Sequence, residues 1–168
     1  VMSTASFCSF CVGRHENMDW PRRCSRCSWL SYKNPLPAVV VLVPIARQGL
    51  LGIRRGIEPA RGQIALPGGY LESGERWLAG VARELEEETG VKLSPNDFRL
   101  FDVCDTPIEA NVLVVAALSR VVLHEPLVLK PNNEVLELVL VTPKNAHELA
   151  WNTHTLLAER YFTEVGIH

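Results

Sequence analysis

GYLESGERWLAGVARELEEETGV, residues 69–91, is the stretch that decides the fold. Its glycine-rich start predicts a loop, and its second half carries strong helix formers up to Gly90, which is placed to end a helix. On that helix Glu84, Glu87 and Glu88 stand at i, i+3 and i+4. The three carboxylates are therefore predicted to share one face of the helix.

An apolar stripe on the same helix predicts where this acidic face points. The stripe consists of Leu78, Val81, Ala82 and Leu85. Because the stripe packs inward, the acidic face must look toward solvent or a cleft. Like charges at these spacings repel, and a hard divalent cation such as Mg²⁺ would relieve the repulsion. Taken alone, such a run of glutamates is more often a solvated acidic face.

The full pattern is more specific than the glutamates. It matches G-x5-E-x7-R-E-U-x-E-E-x-G-U, where U is an aliphatic residue, at Gly69, Glu75, Arg83, Glu84, Leu85, Glu87, Glu88, Gly90 and Val91. This pattern resembles the signature of the Nudix hydrolases. The resemblance implies an α/β/α sandwich with a mixed sheet. It also implies hydrolysis of a nucleoside diphosphate linked to another moiety.

The site roles that the resemblance implies fall on the motif itself. The ligands of Mg²⁺ or Mn²⁺ would be Glu84, Glu87, Glu88 and the carbonyl of Gly68 or Gly69. Arg83 and Glu75 would orient these ligands. Arg83 lies one step from a ligand on the helix, so it is expected to position a glutamate without touching substrate.

Two C-x-x-C pairs precede this motif: Cys8 with Cys11, and Cys24 with Cys27. Two such turns point four thiolates at one ion, which predicts a structural Zn²⁺ site; redox disulfides or an iron site are the alternatives. His15 is either a substitute ligand or a surface histidine. We therefore expect a zinc ribbon over residues 1–34, a proline-containing linker, and a Nudix domain over residues 35–168.

Composition narrows the class of protein. The 168 residues are 47% hydrophobic and 21% charged, with a net charge of −2, which is typical of a globular protein. This charge makes nucleic acid an unexpected partner. The ribbon holds five basic and two acidic residues, and four thiolates with Zn²⁺ reduce its charge to about +1. Without a membrane span or a recognisable secretory leader, we expect a cytoplasmic protein.

The remaining elements are read from short apolar runs and turn residues. Strands are predicted at 38–45, 50–54, 65–69, 98–104, 111–123 and 135–141, the first two as a hairpin. Closing helices are predicted at 146–150 and 153–162, behind a cap at Thr142 and Pro143.

Candidate substrate-binding residues lie outside the motif. The resemblance implies that Arg54 or Arg55 holds a substrate phosphate; the alternative is that the pair only ends a strand in solvent. Pro107 lies sixteen residues after the motif, where the resemblance associates a proline with ADP-ribose pyrophosphatases. ADP-ribose, cleaved to AMP and ribose 5-phosphate, is therefore the predicted substrate.

The resemblance also implies a further carboxylate that assists catalysis as a metal ligand or a base. Glu134 is the first choice, with Glu125 and Glu137 behind it, and a surface carboxylate is the alternative. A ribbon ahead of a Nudix domain resembles the NADH pyrophosphatases. Those carry S-Q-P-W-P-F-P after the motif, whereas this chain has FDVCDTP at 101–107.

The alternatives to ADP-ribose are therefore NADH, FAD or another dinucleotide. A regulator that senses a nucleotide without cleaving it is the alternative from another class. The expected partner is a nucleotide substrate, and a homodimer through the ribbon is compatible with either function.

Overall fold

The computed structural model describes residues 6–16, 19–107, 110–124 and 133–166. The chain divides into two compact units between Pro35 and Leu36. The N-terminal unit contains two short antiparallel strands, β1 (Arg22–Arg23) and β2 (Leu30–Ser31).

The C-terminal unit contains the remaining strands and both α-helices. Its strands are β3 (Leu36–Leu42), β4 (Pro44–Ile45), β5 (Gly49–Arg55), β6 (Ile64–Ala65), β7 (Gly68–Tyr70), β8 (Phe98–Asp105), β9 (Val112–Ser119) and β10 (Val135–Val141). Its helices are α1 (Trp77–Thr89) and α2 (Asn152–Glu164), with short 3-10 turns at Pro95–Asp97 and Ala146–Glu148. No helix within the described ranges has the length and apolar character needed to cross a membrane.

Two sheets form the centre of this unit. The first has the strand order β7-β3-β9-β8, with β3 and β9 parallel and the other pairs antiparallel. The second has the order β10-β5-β4, and β6 also pairs with β5. Alternate residues of β3 enter different cores: Val39 and Val41 join the core under α1, whereas Val40 and Leu42 join the core under α2. The predicted α/β/α sandwich with a mixed sheet is confirmed.

The predicted hairpin between 38–45 and 50–54 is wrong over most of its length. Strand β3 pairs with β7 and β9, and only β4 pairs with β5. The chain changes sheets at Val43, whose side chain is fully buried. Because β3 is buried on both faces, its sequence has no polar alternation that could reveal its partner.

Three other predicted elements need correction. The strand predicted at 65–69 is two short strands in different sheets, separated at Pro67, which has no N–H for a ladder. The strand predicted at 111–123 ends at Ser119. The helix predicted at 146–150 is a single 3-10 turn, although Thr142 does accept a hydrogen bond from the N–H of Lys144.

The acidic helix α1 agrees with its prediction at the C-terminal end. It stops at Gly90, which has φ of +75° and donates its N–H to Glu86 at 2.8 Å. Val81 and Leu85 are fully buried and hold the helix on its core. The helix begins at Trp77, because Glu75 instead accepts the N–H of Glu72 at 3.0 Å.

Candidate active site

Strand β7 brings main chain directly against the acidic helix. The N–H of Gly68 donates to Oε2 of Glu88 at 2.8 Å. A Cβ atom on Gly69 would lie 2.6 Å from Oε1 of Glu84, so no other residue fits there without movement. The two glycines therefore allow two carboxylates to touch the backbone.

The three motif carboxylates differ in burial. Glu84 and Glu88 are buried, with 9% and 4% of their surfaces exposed, whereas the Glu87 side chain is 57% exposed. The helix thus presents two carboxylates inside the cleft and one at its rim. A uniformly solvated acidic surface is excluded by this burial.

Arg83 donates hydrogen bonds to several residues of the motif. Its guanidinium makes two hydrogen bonds to Glu75, of 2.9 and 3.0 Å, and Nη1 donates to Glu84 at 2.8 Å and to Glu87 at 3.0 Å. Nη2 also donates to the carbonyl of Tyr70 at 3.1 Å. This hydrogen bonding lowers the pKa of Glu75 to about 2, so Glu75 is ionised at neutral pH. The contacts are those expected of an orienting arginine.

Burial has the opposite effect on the two inner carboxylates. It raises the pKa of Glu88 to about 8, partly offset by the Gly68 N–H, and it also raises the pKa of Glu84. The negative charge of Glu134 adds to both pKa increases, whereas the positive charge of Arg55 lowers the pKa of Glu88. In the absence of a cation, the cleft therefore favours a protonated Glu88.

The donor atoms suit a hard divalent cation, because they are oxygens and two of the carboxylates lack full charge compensation. Among the described residues, the three glutamates do not bring one oxygen each to within 4.8 Å of one another. Arg83 holds Glu84 and Glu87 while Gly68 holds Glu88. Their roles as ligands, and that of the Gly68 or Gly69 carbonyl, remain predictions.

Arg55 is the last residue of β5 in the second sheet, and Glu134 directly precedes β10 of the same sheet. The carbonyl of Glu134 accepts the N–H of Gly56 at 2.6 Å, which fixes the start of β10 beside the end of β5. The charges of both side chains act on Glu88, in opposite directions. The sequence predicted Glu134 and Arg55 as candidates. It did not predict that the strands beside them, β10 and β5, pair with each other.

The two candidate arginines have different surroundings. Arg54 pairs with Glu137 at 2.6 Å and donates to the carbonyl of Gly62 at 2.9 Å. Arg55 donates Nε to the carbonyl of Pro59 at 2.9 Å, and its terminal nitrogens make no hydrogen bond within the described ranges. Arg55 is therefore the better candidate for holding a phosphate, and Glu137 is already engaged.

Two further residues beside Arg55 were missed by sequence reasoning. The Arg55 guanidinium lies 4.8 Å from the ring centre of Trp151, and that ring lies 4.9 Å from the ring of His154. Nδ1 of His154 accepts the N–H of Leu66 at 3.1 Å. Burial lowers the pKa of His154 to about 4, so the ring is neutral at pH 7. No local motif marks these residues, since only the packing of α2 brings them here.

The other substrate-binding candidate lies elsewhere. Pro107 follows β8, and its carbonyl accepts the N–H of Ala110 at 2.9 Å; both residues are exposed. Two strands, β3 and β9, separate β8 from β7 in the sheet. Glu125 lies outside the described residues.

The N-terminal unit contains a second candidate site, built from two turns of the same geometry. In the first, the N–H of Cys8 donates to the carbonyl of Gly13 at 2.8 Å; in the second, the N–H of Cys24 donates to Trp29 at 2.8 Å. The fifth residue of each turn, Val12 or Ser28, has positive φ, of 57° and 62°. Each C-x-x-C pair therefore forms a knuckle.

The four thiols converge on one point. Their sulfur atoms all lie within 4.8 Å of one another, and Cys8 and Cys27 are 3.7 Å apart. A tetrahedral Zn²⁺ with bonds of ~2.3 Å would place sulfurs about 3.8 Å apart, so the cluster fits. A hydrogen bond from the N–H of Cys27 contributes most to lowering the pKa of Cys24 to about 7. His15 is buried, not on the surface, and does not belong to the cluster.

Comparison with known proteins identifies the larger unit. The family model of the NUDIX domain matches residues 34–161. The NAD-capped RNA hydrolase NudC of Photobacterium profundum is 30% identical over 116 residues, covering 68% of this chain and 42% of that protein. The ADP-ribose pyrophosphatase of Methanocaldococcus jannaschii is 40% identical over 76 residues, covering 45% of this chain and 43% of that protein.

The chain thus spans less than half the length of these two curated relatives. Among solved structures, a NUDIX hydrolase from Nitrosomonas europaea superposes with a TM-score of 0.69 and 23% identity, covering 95% of this chain and 91% of that one. At this identity the match supports the fold.

Proposed function

This chain belongs to the NUDIX domain family, and from that premise we propose that it hydrolyses the diphosphate of a nucleoside diphosphate linked to another moiety. The observation that carries the proposal is the pair of buried carboxylates, Glu84 and Glu88, held against the glycine backbone of β7. A protein gains no stability from burying two acids so close together. A bound cation would compensate the negative charges of the two carboxylates.

The residues that would hold Mg²⁺ or Mn²⁺ are Glu84, Glu87 and Glu88, with the carbonyl of Gly68 or Gly69. When bound, such a cation supplies charge neutralisation for a diphosphate and makes water more acidic. Arg83 keeps its neighbouring carboxylates in place through the hydrogen bonds described above. It is a positioning residue.

The remaining steps fall to residues of the second sheet. Arg55 binds a phosphate through its free terminal nitrogens, because its Nε and its ring contact with Trp151 already fix its direction. Glu134 accepts the proton of the attacking water. The new bond joins the water oxygen to one phosphorus, and the bond from that phosphorus to the bridging oxygen breaks. The products are a nucleoside monophosphate and a phosphorylated partner.

ADP-ribose is the substrate we favour, with AMP and ribose 5-phosphate as products. The similarity to an ADP-ribose pyrophosphatase supports it. A dinucleotide such as NADH or FAD is the second candidate, supported by the similarity to NudC. Residues 101–107 do not contain the S-Q-P-W-P-F-P segment named above for the NADH pyrophosphatases. ADP-ribose therefore ranks first.

We further propose that Cys8, Cys11, Cys24 and Cys27 hold a structural Zn²⁺, which defines residues 1–34 as a ribbon ahead of a catalytic domain at 35–168. All four are free thiols, as this role requires. Reduced thiols of this kind are typical of the cytoplasm.

A substrate panel tests the proposed reaction. ADP-ribose, NADH, FAD, sugar nucleotides and NAD-capped RNA are each incubated with the protein, with and without Mg²⁺, and products are separated by chromatography. We expect Mg²⁺-dependent release of AMP, fastest from ADP-ribose. Saturable binding without cleavage of any compound would overturn the enzymatic function in favour of a nucleotide sensor.

A further inference from the structure

The aromatic side chains of the N-terminal unit lie on its surface. All five are exposed, between 37% and 70%: Phe7, Phe10, Trp20, Trp29 and Tyr32. Of the seven aromatic residues in the C-terminal unit, Tyr70 alone is exposed, and all twelve aromatic residues lie within the described ranges. The metal cluster, rather than an aromatic core, therefore organises the N-terminal unit. Its rings are available to a partner.

The two knuckles place a ring and a cation at equivalent positions. Phe10 is the third residue of the first knuckle, and Arg26 is the third residue of the second. Phe10 stacks on Trp29, which is the sixth residue of the second knuckle. Correspondingly, the Arg26 stem lies over Gly13, the sixth residue of the first, where a Cβ would lie 3.4 Å from Cδ of Arg26. Each of these two contacts therefore joins the third residue of one knuckle to the sixth residue of the other.

The ring pair has the geometry of a stacking platform. The Phe10 and Trp29 rings are nearly parallel, at 13°, with centres 5.3 Å apart. Phe10 is 70% exposed, so the ring face turned away from Trp29 is open. A flat aromatic ligand can continue this stack without any rearrangement.

The N-terminal unit also carries exposed cations. Arg14, Arg26 and Lys33 are exposed, and in the described part of the chain none of them has an acidic partner. Glu16 is an acidic residue of the same unit, and its Oε1 accepts a hydrogen bond from the hydroxyl of Ser25 at 3.1 Å. We call the exposed residues Phe10, Trp29 and Arg26 of the two knuckles the knuckle face.

We propose that the knuckle face binds single-stranded nucleic acid, with one base stacked on Phe10 and Trp29 and an adjacent phosphate contacted by Arg26. Stacked rings beside free guanidinium groups match a chain that alternates flat bases with phosphates. An apolar protein partner would leave the cations unused, and an acidic peptide would leave the rings unused. The whole-chain charge of −2 argues against wrapping a duplex, not against a short unpaired strand.

Binding is measured by fluorescence anisotropy with the full chain and a 12-nucleotide RNA that carries a 5′ hydroxyl, without added Mg²⁺. This probe has no terminal diphosphate, so the proposed hydrolytic reaction is not involved. The variants are Phe10→Ala, Trp29→Ala and Arg26→Gln. The matched controls are Leu156→Ala, whose residue is 56% exposed, and Lys92→Gln, whose side chain is 73% exposed.

Each ring variant should weaken binding at least about fivefold, which is the lower limit for loss of one stacked base. Arg26→Gln should reduce the slope of log affinity against log salt by about 0.7, the value for one phosphate of a single strand. Both controls should bind as the wild type does, a duplex of the same sequence should bind more weakly, and all variants should retain one zinc per chain.

The proposal is overturned if the wild type does not bind the RNA, or if the ring variants bind it as tightly as the controls do. It is also overturned if the ring variants change the molar mass in light scattering while RNA affinity is constant. That result would assign the knuckle face to a second copy of the chain.

Discussion

Replacing Glu88 by glutamine should abolish hydrolysis and at the same time stabilise the metal-free protein. Glu88 is 4% exposed, and its carboxyl accepts the N–H of Gly68 at 2.8 Å. A glutamine oxygen can accept the same hydrogen bond, so the fold should remain. The variant loses the charge that a cation needs and also the cost of ionising a buried acid.

The size of the stabilisation follows from the pKa of Glu88. It is about 8 in the folded protein against an ordinary value of 4.5. Between these two values the unfolded chain releases the proton while the folded chain keeps it, so the wild type loses stability as pH rises from 4.5 to 8. At pH 7 the loss is about 3 kcal/mol, which corresponds to roughly 6–12 °C in melting temperature. The glutamine variant lacks this loss.

The assay is calorimetric melting of both proteins at pH 5 and pH 8, in Mg²⁺-free buffer without a chelator so that zinc is retained. The difference in melting temperature should be small at pH 5 and large at pH 8. Adding Mg²⁺ should stabilise the wild type and leave the variant unchanged. Glu86→Gln is the control, because Glu86 lies on the exposed side of the same helix and pairs with Lys92.

Two results would refute this reasoning. If the variant melted below the wild type at pH 8 without Mg²⁺, burial would not be the dominant influence on Glu88. If the variant hydrolysed substrate at a near-normal rate with Mg²⁺, Glu88 would not be a ligand.

Three further predictions concern other parts of the structure. Gly69→Ala places a methyl group 2.6 Å from Oε1 of Glu84 and should reduce kcat/KM about 100-fold with little change in melting temperature; a rate within twofold of wild type would contradict this. Because the pKa of His154 is about 4 when folded and 6.5 ordinarily, stability should fall by up to about 3 kcal/mol as pH drops through that range. Urea unfolding of His154→Asn should show a flatter pH profile, while His147→Asn, at an exposed site, should not. Cys27→Ser should lose its zinc, measured by mass spectrometry, and hydrogen exchange should then accelerate in the N-terminal unit; retention of one zinc per chain would contradict the four-cysteine site.

Local sequence predicted the acidic helix and its end well, because helix geometry depends on residues close in the chain. Gly90 stops α1 as expected, and β10 has its predicted limits. The same reasoning failed for the first strands, since an apolar run buried on both faces does not reveal its partner. The change of sheet at Val43 depends on pairing with β7 and β9, which lie far along the chain.

The candidate site shows the same division. The spacing of Glu84, Glu87 and Glu88 follows from the sequence, but only the fold shows that two are buried and one lies at the rim. Likewise, Arg54 and Arg55 are adjacent in sequence and equivalent in charge. Their difference arises from their contacts: Arg54 pairs with Glu137, whereas Arg55 donates to the carbonyl of Pro59 and lies over the ring of Trp151.

By itself, the sequence determined the family, the acidic helix and the four cysteines, because each rests on residue types at short, fixed spacings. Only the tertiary structure decided that Arg54 pairs with Glu137 while Arg55 lies over Trp151, that Trp151 contacts His154, and that the exposed Phe10 ring stacks on Trp29. Burial and charge at a position depend on contacts between distant residues, and those contacts exist only after folding.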